Sequence, residues 1–114
     1  MAKFEFLQWL IDWLFACEKF VFEWDAGNRT KSKSKHDVEV HEAEEVFYDE
    51  DKVPLGIQVQ PVVDEPRFGL LGKTSKSRLL HTVFAIREGR VRIIATLPMH
   101  KKERTLYEES LRKE

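Results

Sequence analysis

Among the 114 residues, nine basic side chains and two aromatics carry the types of group that could do chemistry. They are Lys31, Lys35, His36, Arg67, Arg92, His100, Lys101, Lys102 and Arg104, with Trp24 and Tyr107. Arginine forks hold phosphate through parallel hydrogen bonds, and aromatic faces accept unstacked bases, so the set suits a nucleic acid. His36 and His100 have ordinary pKa values near 6.5 and can exchange protons close to neutral pH. Metal-free cleavage of RNA needs a base for the 2′-hydroxyl, cations around the phosphate and an acid for the leaving oxygen. Arg67 and Arg92 are the expected phosphate holders, supported by Lys35 and Lys101. Lys31, Lys102 and Arg104 add general positive charge, and Trp24 offers a stacking face. Each has a plainer alternative. Arg92 could pair with an acidic helix residue, the histidines could cap helices, and Trp24 could pack in the core. Tyr107 is expected to anchor a helix with its hydroxyl at the surface.

Other chemistries lack their signatures. His36, His41, His81 and His100 do not have metal-ligand spacing, and Cys17 is the single cysteine. The sequence therefore predicts no metal, no cofactor and no intramolecular disulfide, with the cytoplasm as the expected compartment. No Gly-rich phosphate loop and no G-x-S-x-G elbow is present.

Stretch 90–109, RVRIIATLPMHKKERTLYEE, begins as a strand and ends as a helix with Lys101, Lys102 and Arg104 in its first turns. Cations there oppose the helix dipole by roughly 0.3–1 kcal/mol each, a cost best explained if they meet something negative. The whole chain is divided in the same sense. Residues 67–114 hold twelve Lys+Arg against five Asp+Glu, whereas residues 1–66 hold seven against fifteen. Either a basic surface awaits an anionic partner, or two oppositely charged parts complement each other.

The elements that must position these groups can be read from periodicity. At this length, residues 1–114 are expected to form one domain. MAKFEFLQWLIDWLFACEKFVF lacks the ~20 uninterrupted apolar residues of a span and has no clean cleavage site, so neither membrane nor signal segment is expected. It reads instead as an additional N-terminal amphipathic helix over 1–21, polar at Glu5, Gln8, Asp12 and Lys19. A helix so apolar packs on the core and leaves a face for a second copy or a partner. FVFEW reads as a short strand, and Asn28 as the N-cap of a basic helix in RTKSKSKH. VHEAEEVFYD should bury Val40, Ala43, Val46 and Phe47. Strands follow at 53–60, 67–73, 79–86 and 90–97, with turns at 74–77 and 87–89. Pro54 suggests an edge for the first of them. In the last, Val91, Ile93, Ala95 and Leu97 should face one way. Pro98 is placed at the start of the final helix, anchored by Leu106, Tyr107 and Leu111. The sum is an α+β fold with an antiparallel sheet of four to five strands, packed by N-terminal helices and a C-terminal helix.

The stretches FEWDAGNRTKSKSKHDVEVHEAEEVF, EPRFGLLGKTSKSRLLHTVFAIREGRVRII and PMHKKERTLYEE, in that order, resemble the BrnT family of bacterial toxins over about 22–109. The resemblance implies a fold like that of RelE-type ribonucleases and an RNA-cleaving toxin of a type II toxin–antitoxin pair. It also implies a BrnA-like DNA-binding antitoxin as partner. Two positions depart from the family pattern. Leu97 stands where the family's I-S-A-R-P-M carries arginine, and Asp37 replaces a glycine after K-H. If the arginine stabilises phosphate charge, its loss costs a few kcal/mol in the transition state unless Arg92 or Lys101 substitutes. Asp tolerates the left-handed cap conformation, so the second change is mild. Two functions remain open: an active ribonuclease toxin, or a toxin-fold protein that binds antitoxin or nucleic acid without cleaving.

Overall fold

The computed structural model describes residues 2–113. Five antiparallel strands form one sheet in sequence order. They are β1 (Lys3–Glu5), β2 (Val53–Gln60), β3 (Phe68–Lys73), β4 (Leu79–Arg87) and β5 (Arg90–Pro98). Helices α1 (Gln8–Ala16), α2 (Ala26–Arg29), α3 (Lys31–His36) and α4 (Val40–Glu45) lie between β1 and β2, and α5 (Lys101–Arg112) follows β5. The α+β expectation is met. No described helix is long and apolar enough to cross a membrane.

Alternation along the strands divides the apolar residues between two sides of the sheet. Leu10 and Leu14 of α1 and Val46 and Phe47 after α4 join Leu70, Leu80, Phe84, Val91 and Ile93 in the main core. Phe47 stands edge-on to Phe20 and Phe84, with ring centroids 5.5 and 5.0 Å apart. A smaller cluster of Leu71, Met99 and Tyr107 seats α5. The turn joining β4 to β5 puts Glu88 at φ 52° and Gly89 at φ 77°, the left-handed pair that a two-residue hairpin of this twist requires.

Several expectations are corrected. Residues 1–21 are not one helix: β1 pairs with β2 (Phe4 opposite Gln58, Glu5 opposite Ile57) before α1 begins. This added strand makes β2 an inner strand. Pro54 is tolerated because β1 stops short of it and a bulge falls between Pro54 and Gly56. Gly56 has φ +105°, and a Cβ there would lie 1.7 Å from the Glu5 carbonyl oxygen, so a side chain would separate β1 from β2. The FVFEW strand reduces to a parallel bridge between Phe22 and Val91.

Asn28 does not cap the basic helix: Thr30 stands at the N-cap of α3, and Asn28 lies inside α2, where it closes the capping box of the N-cap Asp25 from the third helical position. Val40 is only half-buried. In β5 an irregularity opposite Val83 and Phe84 shifts the alternation, so Thr96 is buried where Ala95 was expected. Pro98 ends β5, and His100 is the N-cap of α5. Leu106 is 43% exposed and anchors nothing. Tyr107 is 1% exposed, and its hydroxyl donates to Asp49 Oδ2 at 2.6 Å instead of reaching the surface.

Candidate functional site

Polar bonds, rather than apolar packing, dock α2 and α3 on β5. Asn28 is 5% exposed and its Nδ2 donates to the carbonyls of Glu23 (3.0 Å) and Ile93 (2.9 Å). Ser32 Oγ accepts the Thr96 N–H at 2.8 Å, and Thr96 shares a hydroxyl bond of 3.1 Å with Thr82. At its other end α3 stops at Asp37, held left-handed at φ 54° as the sequence suggested. Arg78 fastens that corner by donating to the His36 and Asp37 carbonyls and to Glu42. With α3 fixed, Lys31 meets Arg67 and Arg92 around a cavity of about 290 Å³, which Gly27, Asn28, Glu65, Arg87 and Ile94 complete.

The cavity's arginines are largely paired. Arg92 forks onto Asp25, with Nη1–Oδ2 at 2.8 Å and Nη2–Oδ1 at 3.3 Å. Arg87 forks onto Glu65 at 2.7 and 2.9 Å and reaches Glu23 at 3.2 Å. The Arg92 hydrogen bond holds the Asp25 carboxyl below the usual range, helped by the Asn28 and Gly27 N–H groups. Arg87 does the same for Glu65, with the charges of Arg92 and Arg67 contributing. Arg67 and Lys31 have no ion pair within 4 Å among the described residues, which leaves the cavity its net positive lining. The asymmetry of charge along the sequence is thus resolved in part within the molecule. Glu23, Asp25, Glu42 and Glu65 come from the acidic part, and their partners Arg78, Arg87, Arg90 and Arg92 from the basic part.

The remaining candidates lie elsewhere. Lys35 is exposed on α3, and half-buried His36 gives its carbonyl to Arg78 without lining the cavity. Trp24 packs against the main core and donates Nε1–H to Glu44 at 2.6 Å. His100, Lys101, Lys102 and Arg104 gather at the start of α5. Here Glu103 supplies the acid that the dipole favours: its N–H reaches His100 Nδ1 and its Oε1 accepts from the His100 N–H. Arg104 donates to the Met99 carbonyl at 2.9 Å. Leu97 lies opposite His81, whose Nδ1 is 2.6 Å from Glu103 Oε2. Sequence reading overlooked Asp25, Glu65, Arg87 and His81. D-A-G-N, with Asp three residues before Asn, was the available sign for Asp25. Among the described residues no three His, Cys, Asp or Glu side chains are grouped to hold a metal ion.

No curated protein matches the chain significantly. A protein family does: residues 24–103, which contain α2 to β5 and every residue lining the arginine cavity, match BrnT, the ribonuclease toxin of a type II toxin–antitoxin system, and the chain belongs to that family.

Proposed function

We propose that the chain is a metal-independent endoribonuclease that holds its scissile phosphate between α3 and β5 and acts in the cytoplasm. The observation that supports this is the convergence of Arg67, Arg87, Arg92 and Lys31 on one cavity, with two arginine forks held ready by carboxylates. An incoming phosphate takes the place of Glu65 and Asp25 on the forks. Exchanging one exposed charged hydrogen bond for another costs little. Charge growing on the phosphate oxygens then meets donors already aimed at it, worth about 10²–10³-fold each. The freed Glu65 carboxylate accepts the 2′-hydroxyl proton, the 2′-oxygen attacks phosphorus, and Lys31 protonates the departing 5′-oxygen. His36 and His100 stand outside the cavity, and this reading gives them no part in the proton transfers.

A BrnA-like antitoxin would silence the toxin by laying acidic side chains on the same arginines. The half-exposed Trp9 and Phe15 of α1 suit an interface with that antitoxin or with a second copy.

A second reading is favoured by Leu97, an apolar residue at the family's arginine position: the fold and partner are kept, and cleavage is lost. Cleavage of labelled single-stranded RNA in EDTA separates the two, with Arg92→Ala and Leu97→Arg beside the native chain. Cleavage by the native chain that disappears in Arg92→Ala supports the first. A silent native chain with an active Leu97→Arg variant supports the second. Silence in all three sinks the ribonuclease reading.

A further inference from the structure

The sheet face that presents Arg92 continues to a second cavity. Ala85 lies opposite Arg92 and His81 opposite Leu97, and His81 and Ala85, four residues apart on β4, share a face. At ~3.3 Å per residue the two places are about 13 Å apart. This second cavity holds about 230 Å³, and its lining includes Phe4, His81, Val83, Leu97, His100 and Glu103.

His81 is the unusual group here. It is 8% exposed, and its Nδ1 is held by Glu103 Oε2 at 2.6 Å. Its Nε2 is buried and has no hydrogen-bond partner among the described residues. A buried polar atom left unpaired is costly, and native structures rarely keep one without a use. The Phe4 ring stands edge-on to the imidazole at 5.7 Å, and Val83 and Leu97 complete apolar walls.

We propose that this cavity is a nucleobase pocket, in which His81 Nε2 accepts a hydrogen bond from an amino or imino group of a base. The inference rests on the RNA reading given above and supplies its base-recognition element. With its proton held on Nδ1 by the Glu103 carboxylate, His81 keeps the Nε2 lone pair for a base that enters the cavity and reaches past its enclosing walls. A flat heterocycle with an N–H edge satisfies both the walls and the nitrogen, whereas a purely aliphatic ligand leaves the nitrogen unpaired. A phosphate is repelled by the lone pair and by Glu103. The two ends of the face therefore divide the work: arginines take the backbone and His81 takes a base. Leu97 gains a role in this arrangement as a wall of the pocket.

The test uses the full chain and the four nucleosides, which carry no phosphate for the arginine cavity, with the His81 imidazole nitrogens followed by NMR. At least one nucleoside should shift the His81 Nε2 signal. Leu97→Trp, which fills the pocket from the strand position opposite His81, should weaken that binding by at least about tenfold. His81→Phe should do the same, with its thermal unfolding recorded to show that it is folded. No movement of Nε2 at saturating nucleoside, or unchanged binding in a folded Leu97→Trp, overturns the proposal. RNA cleavage by a chain indifferent to nucleosides would remove the pocket and leave the ribonuclease. Nucleoside binding by a chain that does not cleave would do the reverse.

Discussion

The two cavities on this sheet face differ in how their polar groups are satisfied. Around Arg92 the carboxylates are exposed although Arg92 itself is 18% exposed, and the forks are already paired, so each bond can be traded for an equivalent one to a ligand. Around His81 the hydrogen bond to Glu103 is enclosed, and one nitrogen has nothing to trade. Exposed pairs contribute little to stability, about 0–1 kcal/mol, whereas breaking an enclosed pair strands a desolvated group. The arginine end is therefore expected to matter for ligands and hardly for folding. At the histidine end, folding and recognition should be coupled.

Removing one member from each end tests that contrast. Arg92→Ala should lower the RNA cleavage rate by about 10²–10³-fold, while its urea midpoint moves little. Undiminished cleavage would show that this cavity is not the reaction site. Glu103→Ala should cost about 2–3 kcal/mol in urea unfolding. It leaves His81 buried with both nitrogens unpaired and deletes the third-position member of the α5 capping box. A loss under about 1 kcal/mol would mean that the histidine end is as loosely held as the arginine end.

Acid should act on both ends, though through different groups. Arg92 lowers the Asp25 pKa and Arg87 lowers that of Glu65. Burial pushes Glu103 upward, but the hydrogen bond from His81 and its neighbours outweigh it, and the net direction is down. A carboxyl whose folded pKa is depressed contributes stability above its unfolded value, and this is lost as pH falls through the folded one. The melting temperature should thus be flat above about pH 5 and fall below about pH 4. Glu103→Gln should remove more of this acid sensitivity than Glu65→Gln, because Glu103 is the more enclosed carboxylate. Equal effects would erase the distinction between the two ends.

The sequence made the regular parts of this fold legible and hid the irregular ones. Alternating residues located β2 to β5, and Arg67, Arg92 and Lys31 were picked out by type and do share a cavity. Three failures show where periodicity alone misleads. β1 was missed because three residues have no measurable period, and the residues after it are helical. The alternation of β5 was misread because one extra residue shifts every later side chain. Leu106 lies at helical spacing from its neighbours yet falls outside the face that α5 turns to the sheet. The carboxylates of the arginine cavity escaped notice for another reason. Glu65 and Arg87 are 22 residues apart, and Asp25 and Arg92 are 67, so only the folded chain puts them together.

The smallest effect is the one that separates competition from support at the arginine end. If Glu65 mainly stabilises the fold, Glu65→Gln should lower the urea midpoint and leave RNA affinity unchanged. If it holds a fork for phosphate, losing its charge should cost less than about 1 kcal/mol of stability, since both side chains are substantially solvent-exposed. Binding of RNA should meanwhile tighten by a few fold at low salt, because the phosphate no longer displaces an anion. The gain should shrink as salt rises, because the pair and the complex are screened alike. Cleavage should not follow affinity: with the carboxylate gone, the 2′-hydroxyl loses its proton acceptor, and kcat should fall while binding improves. A rise in both would leave Glu65 as a competitor alone and return the choice of base to another group.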